Sequence, residues 1–315
     1  MELTFLGTSS GTPTRQRNVS GSALRFDDGA IWIVDCGEGT QHRLLETSLR
    51  PGRVEAILLT HLHGDHCYGL PGLLASLAVH DRHEPVVIVG PHGVKEWISV
   101  TARMSDLKLG YRWRVVEFTE PGALDIGLDR LAVEVLPLVH RVPSYAYRLT
   151  EPARRGRFEN SRAAALGIPD GPLRGRLAKG EVVTLPDGRK VDPSEVIGGD
   201  RPGRCVVLCG DSSDSSALIG KAEGCDLLVH ECTYETGREE QARQWGHSTA
   251  GQVGDLAAQL QPRHLVLTHL SSRYTVSNPD MNPEDLGDQC RQRCPAVTVT
   301  MADDLMTIPI PARER

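Results

Sequence analysis

Residues 60–66 read Thr-His-Leu-His-Gly-Asp-His and follow directly on the apolar run Val54–Leu59. Three imidazoles and a carboxylate in so short a span are the donor types that zinc takes up. Positions 61, 63, 65 and 66 do not share one helical face, because helical neighbours recur at three and four residues. They suit a loop leaving the end of a strand, where alternate residues reach one metal and the next pair turns to a second.

The pattern recurs along the chain. Leu131–Val139 ends at His140, and Val206–Cys209 leads through Gly210 to Asp211. Leu227–Val229 ends at His230 and Glu231, and Leu265–Thr268 ends at His269. Functional groups of open α/β sheets gather at the carboxyl ends of strands, so these distant residues are expected at one sheet edge. A lone histidine after a strand is usually solvated and inert; repetition beside the first cluster argues against that here. Apolar runs predict strands at 2–6, 21–26, 31–35, 54–59, 86–90, 113–118, 131–139, 145–149, 205–209, 226–230, 264–268 and 296–300. Helices are expected at 40–48, 69–80, 93–104, 215–222, 248–259 and 283–293, with Ser248 as a cap and Asn282-Pro283 as a start. Strands and helices in two halves suit two mixed β-sheets packed face to face with helices outside, an αβ/βα four-layer sandwich.

Composition narrows the function classes. The 315 residues carry a formal charge of −6, so no global basic field advertises nucleic acid, and any RNA contact must come from a local patch. Eight cysteines form no Cys-x-x-Cys pair and read as reduced, mostly buried thiols of a cytosolic protein. The start Met-Glu-Leu-Thr-Phe-Leu-Gly reads as a first strand, and neither a signal peptide nor a membrane span is expected. Residues 150–203 break the pattern with a Gly-, Pro- and Arg-rich stretch. Between Pro152 and Lys190 stand nine Lys/Arg against four Asp/Glu. Phe158, Leu166, Ile168, Leu173, Leu177, Val182, Val183 and Leu185 count against a purely solvated linker and suggest a small ordered element. Arginines among glycines and prolines suit an approach to phosphates.

HxHxDH with later His, Asp and His at strand ends resembles the metallo-β-lactamase superfamily. FLGTSSGTP (5–13), TRQRN (14–18), DCGEGTQ (35–41), HGDHCYGLPGLL (63–74), GIPDGPLRGRL (167–177), HSTAGQ (247–252) and THLSSRY (268–274) narrow the resemblance to ribonuclease Z, the endonuclease that trims the 3′ end of precursor tRNA. The resemblance implies the metallo-β-lactamase sandwich over residues 1–315, with 150–203 inserted as a flexible, basic tRNA-gripping arm. It also implies a cytoplasmic homodimer in which one subunit's arm serves the other's site. Two departures are visible. Cys232 stands in His230-Glu231-Cys232-Thr233 where the family usually has alanine, and Arg15 replaces the lysine of a Pro-x-Lys-x-Arg-Asn loop.

On this footing two zinc ions per subunit are expected, one on His61, His63 and His140, the other on Asp65, His66 and His269, with Asp211 bridging. Two such metals clamp a phosphoryl group and generate a nucleophile near neutral pH. Asp65 is the candidate base or orienter and His247 the candidate acid. Glu231 is expected to hold His247 protonated, and His230 to support the site. Arg15, Arg17 and Asn18 of the loop, with Gly171, Pro172, Arg174 and Arg176 of the arm, are candidate substrate contacts. His42, His80, His83, His92 and His264 read as ordinary residues. The alternatives are a superfamily hydrolase of small phosphodiesters or thioesters, or an inactive metal-stabilised RNA-binding protein. The full ligand set argues against the latter.

Overall fold

The computed structural model describes residues 1–79, 84–274 and 281–313; His80 and His83 lie outside them. The chain divides into two units, Met1–Thr150 with Arg204–Pro311, and an inserted unit built from Glu151–Gly203. In chain order the first half of the larger unit holds β1 (Glu2–Gly7), β2 (Gly21–Arg25), β3 (Ile31–Cys36), α1 (Thr40–Leu45), β4 (Val54–Leu58), α2 (Gly64–Cys67), α3 (Leu70–Val79), β5 (Val86–Pro91), α4 (Val94–Met104) and β6 (Trp113–Phe118). Then come β7 (Gly122–Leu124), β8 (Ala132–Leu138) and β9 (Ser144–Thr150). The inserted unit holds α5 (Asn160–Ala165), α6 (Pro172–Ala178), β10 (Val183–Thr184) and β11 (Lys190–Val191). The larger unit resumes with β12 (Cys205–Cys209), β13 (Leu227–Glu231), α7 (Glu239–Trp245), α8 (Ala250–Leu260), β14 (His264–Thr268), α9 (Pro283–Arg293), β15 (Thr298–Met301) and β16 (Thr307–Pro309).

Two seven-stranded mixed sheets result, ordered β16-β1-β2-β3-β4-β5-β6 and β15-β14-β13-β12-β9-β8-β7. Their strands read as near-continuous apolar runs because both faces are covered. Alternation then sorts the side chains. Ala56 and Leu58 of β4 and Val206 and Leu208 of β12 enter the core between the sheets, with Trp32 and Tyr147. Ile57 and Leu59 face the other way, into a cluster with Leu70, Leu74 and Ile98 of α3 and α4. Val207 and Leu228 likewise meet Val253, Ala257 and Leu286 of α8 and α9. The layers are therefore helix, sheet, sheet, helix.

Two local expectations change. Residues 215–222 form only a short 3₁₀ turn at Ser216–Leu218, because Ile219 goes to extended backbone and Gly220 then turns to φ +81°. Thr249, not Ser248, caps α8: its side chain accepts from the Gln252 amide in a capping box. Ser248 instead donates its hydroxyl to the Ser212 carbonyl. Asn282 and Pro283 start α9 as expected. All eight cysteines are unpaired, and only Cys209 is less than buried. No helix among the described residues is long and apolar enough to cross a membrane.

The inserted unit has an apolar cluster of its own, built on Ala163, Ile168, Leu177, Val183, Leu185, Val191, Val196 and Ile197, with Phe158, Leu166 and Leu173 against it. Val182 is the exposed exception at 51%.

Candidate metal centre

The carboxyl ends of β3, β4, β8, β12, β13 and β14 deliver the site. β4 runs out through Thr60 to His61 and His63 in extended backbone. The one-turn helix α2 then swings Asp65 and His66 to a different heading, so the HxHxDH spacing is part loop and part helix. β8 runs antiparallel to β9, and β9 to β12, so β8 and β12 point the same way and present His140 and Asp211 together.

Two donor groups form. One is His61, His63, His140 and Asp211; the other is Asp65, His66, His269 and Asp211. Asp211 divides its oxygens between them. Its Oδ2 lies 3.8 Å from His61 Nε2 and 3.8 Å from His140 Nε2. Its Oδ1 lies 3.3 Å from His66 Nε2 and 3.3 Å from His269 Nε2. Asp65 Oδ2 sits 3.3 Å from His269 Nε2 and 3.6 Å from His66 Nε2.

The outer nitrogens show what the inner ones can do. His66 Nδ1 donates to Asp35 Oδ2 at 2.8 Å, and His140 Nδ1 to the Gly246 carbonyl at 2.6 Å. The Thr60 hydroxyl gives its proton to Asp35, so its oxygen accepts from His61 Nδ1 at 3.1 Å. Thr233 gives its proton to Glu231 Oε2 at 2.6 Å and accepts from His269 Nδ1 at 3.2 Å. In all four neutral rings Nε2 then carries a lone pair. These lone pairs face other donors of the site. His66 Nε2 is 3.2 Å from His269 Nε2, His140 Nε2 is 3.1 Å from His63 Nδ1, and buried His61 Nε2 has no hydrogen-bond partner among the described residues. Only cations satisfy such a set, and imidazole with carboxylate fits zinc. A proton does the same job in part: burial pushes the His66 pKa down, but Asp211, Asp35 and Asp65 outweigh it and hold it well above the usual value.

Beside this pair stands a third group, Glu231, His247 and His269. Glu231 is fully buried, and its oxygens are already taken. Oε1 accepts from the Ser212 amide, from His247 Nδ1 at 2.9 Å and from the Ser248 amide. Oε2 accepts from the Thr233 amide and hydroxyl. This is a proton-holding arrangement, not a metal site. Burial lowers the His247 pKa, but the Glu231 carboxylate outweighs it and raises the value to about 9.

Known proteins share both the sequence and the fold. A family model described as the anti-Pycsar protein Apyc1 matches residues 1–106. Ribonuclease Z of Synechococcus sp. (strain CC9605) is 42% identical, over 99% of this chain and 99% of its own length. Ribonuclease Z of Limosilactobacillus fermentum is 40% identical over the whole of both chains. The chain belongs to the ribonuclease Z family. The crystal structure of the short form of human tRNase Z superposes with a TM-score of 0.71 at 27% identity, covering 99% of this chain and 100% of the other. The metallo-β-lactamase fold protein YhfI of Bacillus subtilis, at 19% identity and TM-score 0.65, shares the fold.

Within this ribonuclease Z chain, the seven residues expected as ligands converge. His42, His92 and His264 stay outside the donor groups. His230 bonds to Ser215 Oγ and to the Glu231 carbonyl, so it braces the strand end behind the site. The loop residues divide. Arg15 is exposed, whereas Arg17 is turned inward onto Thr8 Oγ1, the Ala302 carbonyl and Asp303. Asn18 donates its side-chain amide to the Glu38 carbonyl and its backbone N–H to Asp304. In the inserted unit Gly171 (φ +121°) and Pro172 begin α6, Arg174 bonds to Asp170 and the Ile168 carbonyl, and Arg176 to Glu181.

Sequence reasoning passed over Asp35, Thr60, Thr233 and Gly246 as site residues. Asp35 was the findable one, a carboxylate ending an apolar strand inside DCGEGTQ. It is buried with φ +60°, and His269 has φ +59°; both are left-handed conformations that side-chain-bearing residues seldom adopt. Gly246 has no such cue. A Cβ there, ideally placed, would stand 2.5 Å from His140 Nδ1. Only glycine lets the backbone come close enough to accept that bond.

Proposed function

We propose that the chain is a zinc-dependent endoribonuclease that removes 3′ trailers from precursor tRNA. It cuts 3′ of the discriminator nucleotide and leaves a 3′-hydroxyl on the tRNA and a 5′-phosphate on the trailer. The carrying observation is Asp211, whose two oxygens serve two triads of donors beside a buried His247–Glu231 pair, in a chain of the ribonuclease Z family.

One zinc ion would be held by His61, His63 and His140 and a second by Asp65, His66 and His269, with Asp211 between them; bound there, they would neutralise phosphate charge and lower the pKa of water. Asp65 is fixed by the Gly11 amide, which donates to its Oδ2 at 2.8 Å, and orients the attacking water. His247 donates a proton to the leaving 3′ oxygen. Because Nδ1 is engaged by Glu231, Nε2 carries that proton. Glu231, buried and acceptor-only, keeps the imidazolium charged until transfer. Arg15 at the loop near the active site and the basic surplus of residues 152–190 bind phosphates of the RNA. The same reading takes the working form to be a cytoplasmic homodimer; the exposed Leu45 and Val79 beside one surface hollow offer apolar surface for it.

The deciding experiment incubates zinc-loaded protein with a precursor tRNA bearing a 3′ trailer and maps both product ends. A single cut after the discriminator with the stated ends is expected. Turnover of small phosphodiesters without any cut in the precursor would replace this reading with that of a small-phosphodiester hydrolase.

A further inference from the structure

The chain has four tryptophans, and three are used for packing. Trp32 is fully buried between the sheets, and Trp97 and Trp113 pack against the cluster under α3 and α4. Trp245 is different. It is the last residue of α7 and is 48% exposed. Leaving an indole in water forgoes its burial, the largest any side chain offers.

Its position in the chain is informative. Gly246, the next residue, ends α7 in the left-handed conformation and supplies the carbonyl that holds His140. His247, the candidate acid, follows it. Trp245 is thus bonded into the segment that places both a metal-site histidine and the proton donor. Arg141, directly after His140, sets its guanidinium 5.4 Å from the indole centroid. Arg243, two residues before Trp245, is also exposed. An open aromatic surface with a cation on one face and a second cation nearby is the composition of single-strand nucleic-acid platforms: bases stack, and the phosphates between them meet the arginines.

We infer that Trp245, backed by Arg141, is a stacking platform for an unpaired nucleotide next to the scissile phosphate. This rests on the endoribonuclease reading above. Stacking uses the face of any base, so the platform grips without selecting sequence. It acts equally in the bound substrate and in the transition state, so its loss shows in KM and leaves kcat largely intact.

The test uses a zinc-loaded protein and an acceptor-stem RNA with a 3′ trailer, in two forms: one complete, one with abasic nucleotides on both sides of the cleaved bond. Trp245→Ala is expected to raise KM on the complete RNA by about 5- to 150-fold, the range that base–aromatic stacking provides. Trp245→Phe should recover most of this. On the abasic RNA, the parent protein and Trp245→Ala should have the same KM. Equal KM values for parent and Trp245→Ala on the complete RNA would overturn the inference and leave the endoribonuclease reading standing. A loss of the same size on both RNAs would also overturn it, by showing a structural role. Failure of the parent protein to cut either RNA would instead remove the endoribonuclease reading.

Discussion

The metal centre and the inserted unit handle charge in opposite ways. At the centre, like groups are buried nose to nose, lone pair against lone pair, drawn from six strand ends across the larger unit. In the inserted unit, arginines pair with acids close in sequence: Arg154 with Glu151, Arg162 with Glu159, Arg174 with Asp170 and Arg176 with Glu181. Exposed pairs of that kind are worth only about 0–1 kcal/mol each. The unit is therefore held by its apolar cluster, and its exposed arginines, such as Arg162 and Arg176, can exchange a carboxylate for a phosphate at little cost, whereas Arg174 is only 16% exposed and also donates to the Ile168 carbonyl. The centre has no such freedom, because its donors are complete only with cations present. Buried convergence marks a group that could hold a metal; local pairing at the surface marks charges open to exchange.

That contrast can be broken most severely at Asp211. Asp211→Ala removes the carboxylate shared by both triads, so turnover should vanish and zinc content should fall well below that of the parent. Elemental analysis finding two zinc ions in an active variant would end the bridging assignment. Next comes His247→Ala, expected to lower kcat by about 10²–10⁴-fold with the metal retained. Loss of zinc in step with activity would make His247 a ligand or a structural residue.

On the other side of the comparison, deleting Pro152–Lys190 should raise KM for precursor tRNA by roughly 10- to 100-fold. One or two charge-assisted hydrogen bonds to phosphate, at about 1.5–3 kcal/mol apiece, account for a change of that size, and the salt dependence of binding should flatten with it. Hydrolysis of a small chromogenic phosphodiester by the same folded, zinc-loaded variant should survive. An equal loss of both activities would show that the segment supports the fold.

Asp35→Asn sharpens the account of the centre. It keeps the shape but loses the carboxylate that fixes His66 and Thr60, and zinc affinity should drop by about 10- to 100-fold. Chelator competition showing unchanged affinity would reduce Asp35 to packing. The smallest effect concerns metal-free protein. His247 binds its proton more tightly when folded, with a pKa of about 9 against an ordinary 6.5. Its contribution to stability is therefore full below about pH 6.5 and lost as the pH rises through 9. Denaturant melts across that window should show the parent losing its margin over His247→Gln; parallel curves would refute the coupling to Glu231.

Much of this was legible in one dimension. Strand after strand ended in a metal-capable residue, and period-two burial follows from runs such as Val54–Leu59 and Val206–Cys209, whose alternate side chains fill two different clusters. Sheet chirality and connection rules gather strand ends at one edge, which brought His61, His140, Asp211, His230, Glu231 and His269 together on paper; which seven of the candidates hold metal came with the resemblance to ribonuclease Z. The local surplus of arginine over residues 152–190 was equally plain. What the chain order could not show is which partners those groups choose. Arg17 and Arg174 looked like free cations until Asp303 and Asp170 met them. Ser248 looked like a cap until the capping box formed at Thr249, one residue on. Asp35, Thr60 and Thr233 set the tautomers of the rings only through hydrogen bonds between strand ends far apart in sequence. Hydrophobic periodicity is a property of neighbours along the chain and survives in the bare sequence; the direction of a hydrogen bond depends on angles and distances that exist only after the sheets have closed on each other.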